Sequence, residues 1–281
     1  MGVSSSFSSS SDVDPPRLDT AIQYGALVSG SIVRDELVLP DVGDVPIAAR
    51  VDDEFPIFDQ GNIPSCVSQS CVAAMMITLG NRVMLSPAFN YYYTTRGEAR
   101  GTFLASSLTS LRNGVCQYEY WPSDRAVGEE PSELAQQDAL SHVVTSAHTL
   151  RRDLLNLKRA IVAGYGVIVA FEVDRQADNW FQDPLWQKRT SYVIPIAPPG
   201  EPIVAAHAVV IVGYDERSGP YGTFRARNAW GPLWGDQGYF YFSSRSMSEP
   251  RSLRDFAIIT GACSGPNCLL SCPSEYQICQ N

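Results

Sequence analysis

The sequence predicts an α+β fold in which a helical lobe is followed by a sheet or barrel lobe. Apolar residues recur at helical spacing in the first half of the chain, whereas short β-rich runs separated by turn residues dominate beyond Tyr165. With 281 residues and a hydrophobic content of 44%, the chain has ample material for a buried core. Helices that lead and strands that follow are typical of α+β chains.

The clearest helix is predicted over residues 65–79. Its apolar positions are Val67, Cys71, Ala74, Met75 and Leu79, and Gly80 follows as a stop signal. The runs "SLTSLRNGV" and "TLRRDLLNLKRAIVAG" predict two further helices that end at glycine. Five later runs predict strands, namely "YGVIVAFEV", "AHAVVIVGYD", "GTFRARNAW", "GYFYFS" and "FAIITGA".

The two ends of the chain differ from its centre, which predicts three parts. Residues 1–50 form a Ser-rich tail and an extended leader, residues 51–262 form the folded domain, and residues 263–281 form a Cys-rich tail. The start lacks the charged segment and the apolar run of a secretory signal, which favours an intracellular protein over a classically secreted one. It does match the M-G-x-x-x-[ST] pattern of N-myristoylation with Gly2 and Ser6.

Charge and hydropathy exclude several classes of partner. The formal net charge is -9, and no basic run with interleaved aromatics is present, which argues against nucleic acid and anionic membranes as partners. The longest apolar stretches, such as "AAHAVVIVGY", are far shorter than the roughly 18 to 20 residues of a membrane span. No span is therefore predicted.

The chain has seven cysteines, so at least one thiol stays unpaired in any disulfide scheme. Four of them lie in the C-terminal tail, namely Cys263, Cys268, Cys272 and Cys279. The absence of a C-x-x-C pair argues against a zinc site, and nothing in the sequence implies a metal or an organic cofactor. Local disulfides and free thiols both remain open for the tail.

Cys66 lies at the start of the predicted central helix, in "DQGNIPSCVSQSCVAAMMITLG". One interpretation takes Ser65 as a helix cap and Cys66 and Cys71 as small buried hydrophobes. The other takes Cys66 as a nucleophile, because the positive end of the helix dipole and a nearby imidazole lower the pKa of a thiol. On this interpretation Cys71 is a buried residue one turn further along.

A cysteine nucleophile requires a proton acceptor, and the chain has only three histidines. His142 and His148 lie in "SHVVTSAHTL" and are interpreted as structural or surface residues. His207 begins the buried run "HAVVIVGY", where an imidazole needs a polar partner. The run "RNAWGPLWGDQGYFYF" supplies Asn228, whose side-chain carbonyl could orient the imidazole, and Trp230 could shield that bond from water.

Four blocks in this order, "DQGNIPSC", "HAVVIVGY", "RNAWG" and "WGDQGYFYF", resemble the papain family (C1) of cysteine peptidases. The separation of Cys66 and His207 also lies within the roughly 130 to 150 residues of that family. The runs "LSPAFNYYY", "RNGVCQYEYWPSD" and "DQGYFYFSSRSMSEPRSLRDFAII" are more similar to the papain-like peptidases of bacteria and large DNA viruses than to lysosomal cathepsins. The resemblance covers residues 51–261.

The resemblance implies a papain-like two-lobe fold with an N-terminal helical lobe, a central helix carrying the cysteine, a C-terminal β-barrel-like lobe and an active-site cleft between them. Carried over by position, the catalytic residues are Cys66 (nucleophile), His207 (acid and base), Asn228 (orienting the imidazole) and Gln60 (oxyanion hole). The substrate-binding residues are Gly101 (backbone wall), Ala206 (small apolar wall), and Trp230 and Trp234 (leaving-group side). A thiolate–imidazolium pair is expected before substrate binds.

Three departures concern the loop beside the thiol. Ile63 stands where many relatives have a disulfide cysteine, Pro64 replaces the usual glycine, and Val67 replaces the tryptophan that commonly follows the nucleophile. Proline fixes its own φ and removes a backbone N–H, so the loop is expected to differ in shape.

The sequence therefore predicts a cysteine endopeptidase that acts on polypeptides, intracellular or virion-associated, with its oligomeric state left open. An acyl transferase or amidase on the same scaffold is the alternative, because the fold and triad fix the acyl chemistry and not the acceptor. A third alternative is a catalytically silent structural protein. The leader is expected to be either a short plug in the cleft, as in a zymogen, or an inert tail.

Overall fold

The computed structural model describes residues 24–27, 36–40, 43–123, 127–196, 198–248, 253–266 and 268. The helices are α1 (Cys66–Thr78), α2 (Pro87–Thr95), α3 (Leu104–Asn113), α4 (Glu133–Ala139), α5 (Leu154–Val162), α6 (Arg175–Gln182) and α7 (Ser244–Ser248). The strands are β1 (Ala26–Leu27), β2 (Ala48–Arg50), β3 (Thr102–Phe103), β4 (His142–Thr149), β5 (Val167–Asp174), β6 (Ile203–Asp215), β7 (Thr223–Arg227), β8 (Tyr239–Ser243) and β9 (Leu253–Ser264). The predicted α+β class is confirmed.

Helix α1 is the centre of the molecule, and every residue from Cys66 to Ile77 is buried. It packs against β5, β6 and β9 on one side and against α2 and α3 on the other. No face of the helix meets water, and its first two turns bury the polar residues Ser68, Gln69 and Ser70 together with the apolar ones. The predicted helix is confirmed, and Gly80 follows it with φ 68°, a left-handed conformation that glycine adopts without strain.

Seven strands form one antiparallel sheet in the order β4-β9-β5-β6-β7-β8, with β2 paired to β6. The five predicted strands are all present. Strand β4 was not predicted, because the run "SHVVTSAHTL" mixes polar and apolar residues without strict alternation.

The expected β-barrel-like lobe is corrected by this topology, because the described strands form an open sheet with β4 and β8 at its two edges. A local segment covers each edge instead of the opposite strand. Ile194 N–H donates to Tyr241 O of β8 at 2.8 Å, and Leu37 N–H donates to Thr149 O of β4 at 2.8 Å. These bonds satisfy part of the backbone groups at each edge without closing the sheet.

A buried ion pair joins the segment before residue 60 to the end of β7. The guanidinium of Arg227 lies 3.2 Å from the carboxylate of Asp53, and both side chains are almost completely buried. Tyr239 donates its hydroxyl to the same carboxylate at 2.7 Å, and Arg227 also donates to the backbone carbonyls of Phe55 and Pro56. Because Asn228 follows Arg227, this network fixes the strand end that carries a predicted site residue.

At the C-terminal end, Cys263 and Cys268 form a disulfide, whereas Cys272 and Cys279 lie outside the described residues, as does the Gly2 motif. Strand β9 continues to Ser264, so Cys263 belongs to the sheet and pairs with Val143. Within the described part of the chain, no helix is long and apolar enough to cross a bilayer. The same residues contain no group of three or more His, Cys, Asp or Glu that could hold a metal.

Candidate active site

The structure places Cys66 at the first residue of α1, completely buried. The Ser65 hydroxyl accepts a hydrogen bond from Gln69 Nε2 at 3.1 Å instead of capping the helix. The backbone N–H groups of Cys66 and Val67, in the first turn, lie beside the Cys66 sulfur. The backbone N–H of Ala208 lies beside it as well. Because Ala208 follows His207, this contact brings the predicted nucleophile to the strand that carries the predicted base.

His207 is fully buried on β6, and its Nε2 lies 2.8 Å from Asn228 Oδ1. Its Nδ1 is buried and has no hydrogen-bond partner among the described residues. The indole of Trp230 stacks on the imidazole with ring centroids 4.6 Å apart. Asn228 thus holds Nε2 of the ring, whereas Nδ1 can accept a proton from another group.

Gln60 is buried in the loop that precedes Cys66. Its side-chain amide donates to Ile63 O at 2.9 Å, and its backbone N–H donates to Ala229 O at 2.9 Å. The loop before the cysteine is thereby tied to the residue after Asn228. Gln60 and Asn228 are consequently held in one region although they lie in different parts of the sequence.

Leader residues 24–27 lie across this group of side chains. Tyr24 meets His207 edge-on with ring centroids 5.7 Å apart, and the backbone N–H of Gly25 is directed at the Cys66 sulfur. Strand β1 then pairs in parallel with β3, and Gly25 O accepts from Thr102 N–H at 2.8 Å. Residues 24–27 therefore lie against both Cys66 and His207.

Gly25 is required for this arrangement. A Cβ atom at this position would lie 1.8 Å from Pro64 O and 2.2 Å from Pro64 C, which are backbone atoms that cannot move independently. The loop whose proline distinguishes this chain is therefore in direct contact with the leader. Only a residue without a side chain allows such a close approach of two backbones.

Burial at this site favours the neutral forms of the thiol and the imidazole. Burial raises the pKa of the Cys66 thiol to about 11, although the surrounding N–H groups act in the opposite direction. Burial also lowers the pKa of His207 to about 4, partly offset by the bond to Asn228. The expectation of a lowered Cys66 pKa is thus wrong for this state, because desolvation by burial outweighs the N–H groups of the helix N-terminus.

The depressed pKa of His207 predicts a loss of stability in acid. A group whose folded pKa lies below its ordinary 6.5 stabilises the fold above pH 6.5, and this contribution is lost as the pH falls towards 4. The expected loss is on the order of 3 kcal/mol between those limits. Denaturant unfolding of the native chain and His207→Gln at pH 7 and pH 4.5 measures it. Equal losses in both proteins would show that His207 is not the group responsible.

The remaining predicted residues are distributed around the covered cleft. Gly101 faces the leader, since a Cβ atom added at this position would lie 2.8 Å from Gly25 O. Ala206 lies half-buried beside His207 on β6. Trp234 is buried and meets Trp230 edge-on at 4.8 Å.

His142 and His148 both lie on β4 and have other partners. His142 Nδ1 is 2.7 Å from Ser264 Oγ, and His148 Nε2 is 2.9 Å from Ser146 Oγ. His142 is buried and His148 lies at the surface, as interpreted from the sequence.

Sequence reasoning missed four residues that border the site, namely Tyr24, Gly25, Asp178 and Phe181. The only local signal was "QYG" in the leader, a tyrosine–glycine pair within an otherwise extended segment. Asp178 and Phe181 lie on α6, whose approach to the site depends on long-range packing.

Two known groups of sequences are similar to this chain. The signature described as papain family cysteine protease matches residues 110–251, which include His207 and Asn228 and begin after Cys66. An uncharacterized peptidase C1-like protein of Acanthamoeba polyphaga mimivirus is 26% identical over 222 residues, which are 72% of this chain and 68% of that protein.

Solved structures share the fold. Xylellain, a cysteine protease from Xylella fastidiosa, has a TM-score of 0.73 at 23% identity and covers 85% of this chain and 96% of its own. The procathepsin B S9 of Trypanosoma congolense has a TM-score of 0.63 at 13% identity and covers 89% and 83% of the two chains. The family signature spans half of the sequence, so the chain belongs to the papain family of cysteine proteases.

Proposed function

We propose that this protein is a cysteine endopeptidase that hydrolyses peptide bonds with Cys66, His207 and Asn228, and that its leader blocks the cleft. The observation that carries the proposal is the convergence of Cys66 on Ala208 N–H beside His207, whose Nε2 is held by Asn228. Family membership supports a polypeptide substrate.

In the reaction, His207 Nδ1 takes the proton of the Cys66 thiol, and the sulfur attacks the carbonyl carbon of the peptide bond. The negative charge on the carbonyl oxygen is stabilised by the Cys66 N–H and the Gln60 side-chain amide. His207 then gives its proton to the leaving amine as the C–N bond breaks, which leaves a thioester on Cys66. Water attacks the thioester while His207 takes its proton, and the acid is released with a regenerated thiol.

Asn228 acts through His207. Its side-chain oxygen accepts from Nε2, which fixes the tautomer in which Nδ1 can take a proton. Trp230 covers the imidazole and separates this hydrogen bond from water. A shielded bond is stronger than an exposed one, because the local dielectric constant is low.

The leader supports a latent form of the enzyme. It places Gly25 beside the thiol, whose complete burial favours the neutral Cys66 over the thiolate that must attack. Because β1 pairs in parallel with β3, the backbone of the leader also fills the position where an extended substrate would lie. Access to Cys66 therefore requires displacement of residues 24–27.

The test is a peptide-library digestion by the full chain carrying Gly25→Val, which removes the close approach to Pro64. We expect internal cleavages identified by mass spectrometry, their loss in Cys66→Ala and His207→Ala, and a smaller loss in Asn228→Ala. For Gln60→Ala we expect a fall in kcat of about 100- to 1000-fold, the effect of losing one oxyanion donor. Turnover that survives Cys66→Ala would exclude the proposed nucleophile.

Product analysis in the presence of added amines separates hydrolysis from acyl transfer. Free carboxylic acids as the main products support the peptidase, whereas amides of the added amine as the main products support an acyl transferase on the same thioester. If Cys66 is alkylated readily in Gly25→Val but no peptide is cleaved or transferred, the catalytically silent alternative holds.

A further inference from the structure

The side chain of Tyr24 is bound in a defined site beside His207. Its hydroxyl donates to Asp178 Oδ1 at 2.9 Å, and its ring lies edge-on to Trp230 with centroids 6.0 Å apart. The buried ring of Phe181 closes another side, 6.3 Å from the Tyr24 ring and 5.1 Å from Trp230. The site therefore combines aromatic walls with one anionic hydrogen-bond acceptor at its end.

Helix α6 carries Asp178 and Phe181, two of the four residues that the sequence did not reveal. Asp174 caps the helix by accepting from Ala177 N–H at 2.8 Å, and Phe181 is buried against the sheet lobe. Asp178 precedes Phe181 by three positions, so the two side chains lie on one helix face. Asp178 is half-buried, and its only other hydrogen-bond donor among the described residues is Gln182, at 3.3 Å.

The chemistry of the site suits a phenol rather than a phenyl ring. Burial and the adjacent carboxylate both raise the pKa of Tyr24, so its hydroxyl remains a donor. A site that holds an acceptor for a hydroxyl discriminates against the ligand that lacks it, because the half-buried carboxylate of Asp178 would lose a hydrogen-bond donor. The aromatic walls contribute to binding of either ring.

We propose that Asp178, Phe181 and Trp230 form a tyrosine-selective side-chain site on the leaving-group side of the cleft, and that Tyr24 of the leader occupies it in the covered state. The site lies beside His207, which donates a proton to the leaving amine, whereas the acyl side follows β3, where β1 pairs. This inference rests on the proposed endopeptidase function. It implies that preferred substrates carry a tyrosine immediately after the scissile bond.

The first test uses the full chain with Tyr24→Ala and Gly25→Val, which empties the site. Peptides with one common acyl half and Tyr, Phe or Ala as the next residue are compared by kcat/KM. We expect Tyr to exceed Phe by about 10-fold or more, the effect of a hydrogen bond to a charged group. Adding Asp178→Asn should abolish the preference for Tyr over Phe. Asn179→Ala, at an exposed neighbour on α6, should preserve it. Cleavage without a preference for Tyr would overturn the inference.

The second test does not require catalysis. In the full chain, Tyr24→Phe and Asp178→Asn should each raise the rate of Cys66 alkylation by iodoacetamide about 10-fold. The double variant should be alkylated no faster than either single variant. If no peptide is cleaved in the first test, this non-additive result supports the tyrosine site while the proposed function fails. Additive effects or unchanged rates would reject the tyrosine site whether or not the protein is a peptidase.

Discussion

Gly25→Val is expected to expose Cys66 to alkylation, with labelling by limiting iodoacetamide at pH 7 rising on the order of 100-fold if the covered state is populated 99:1. The valine Cβ would fall 1.8 Å from the Pro64 carbonyl oxygen, so the leader cannot lie where it does. Water then reaches the thiol, and the desolvation that raises its pKa is removed. Peptide mapping after brief labelling measures the change at Cys66 alone.

Two internal comparisons make this result specific. Cys71 and Cys116 are buried free thiols in the same chain, and they should stay unlabelled as long as the protein remains folded. Val38→Ala alters an exposed leader residue outside the cleft and should leave the labelling of Cys66 at its original rate. Labelling in Gly25→Val at the rate of the unchanged protein would mean that something other than residues 24–27 protects Cys66.

Asp53→Asn is expected to destabilise the fold by about 3 to 5 kcal/mol, because it leaves the guanidinium of Arg227 buried without a counter-charge. The hydroxyl of Tyr239 also loses its ionised acceptor. The free energy of unfolding from denaturant titrations measures the effect. The end of β7 carries Asn228, so a partly folded variant should also show faster labelling of Cys66.

Arg50→Gln provides the matched control for the same carboxylate. Arg50 lies 3.0 Å from Asp53 Oδ1, but its side chain is 52% exposed, so its loss should cost less than about 1 kcal/mol. The double variant Asp53→Leu/Arg227→Met should be less destabilised than the sum of its two single changes, since it leaves no unpaired charge. Equal effects of Arg50→Gln and Asp53→Asn would refute the importance of the buried pair.

Much of the fold could be predicted from the sequence, because apolar spacing, glycine stops and β-rich runs are local features. The central helix follows from apolar spacing between Val67 and Leu79, and Gly80 ends it for a steric reason that applies to any chain. The five β-rich runs form strands of the single sheet. Strand β4 was missed because its polar and apolar residues follow no clear period, and its pairing with β9 is what makes it a strand.

The residues of the candidate site could be predicted from the sequence, but the burial of its thiol could not. Cys66, His207 and Asn228 follow from residue types and motif order, and the bond between His207 and Asn228 was expected from them. The pKa of Cys66 was expected to fall because the helix terminus is visible in the sequence. The pKa is raised instead by the complete burial of the thiol, which no local pattern in the sequence shows.

The sequence by itself therefore determined the fold class, the central helix, the strand runs and the residues that identify the family, because short-range periodicity and residue chemistry encode them. The tertiary structure decided the contact of Tyr24 with Asp178 across 154 positions and that of Asp53 with Arg227 across 174. It also decided the directions in which burial shifts the pKa values of Cys66 and His207. These features depend on contacts and desolvation between distant segments, which exist only after the chain has folded.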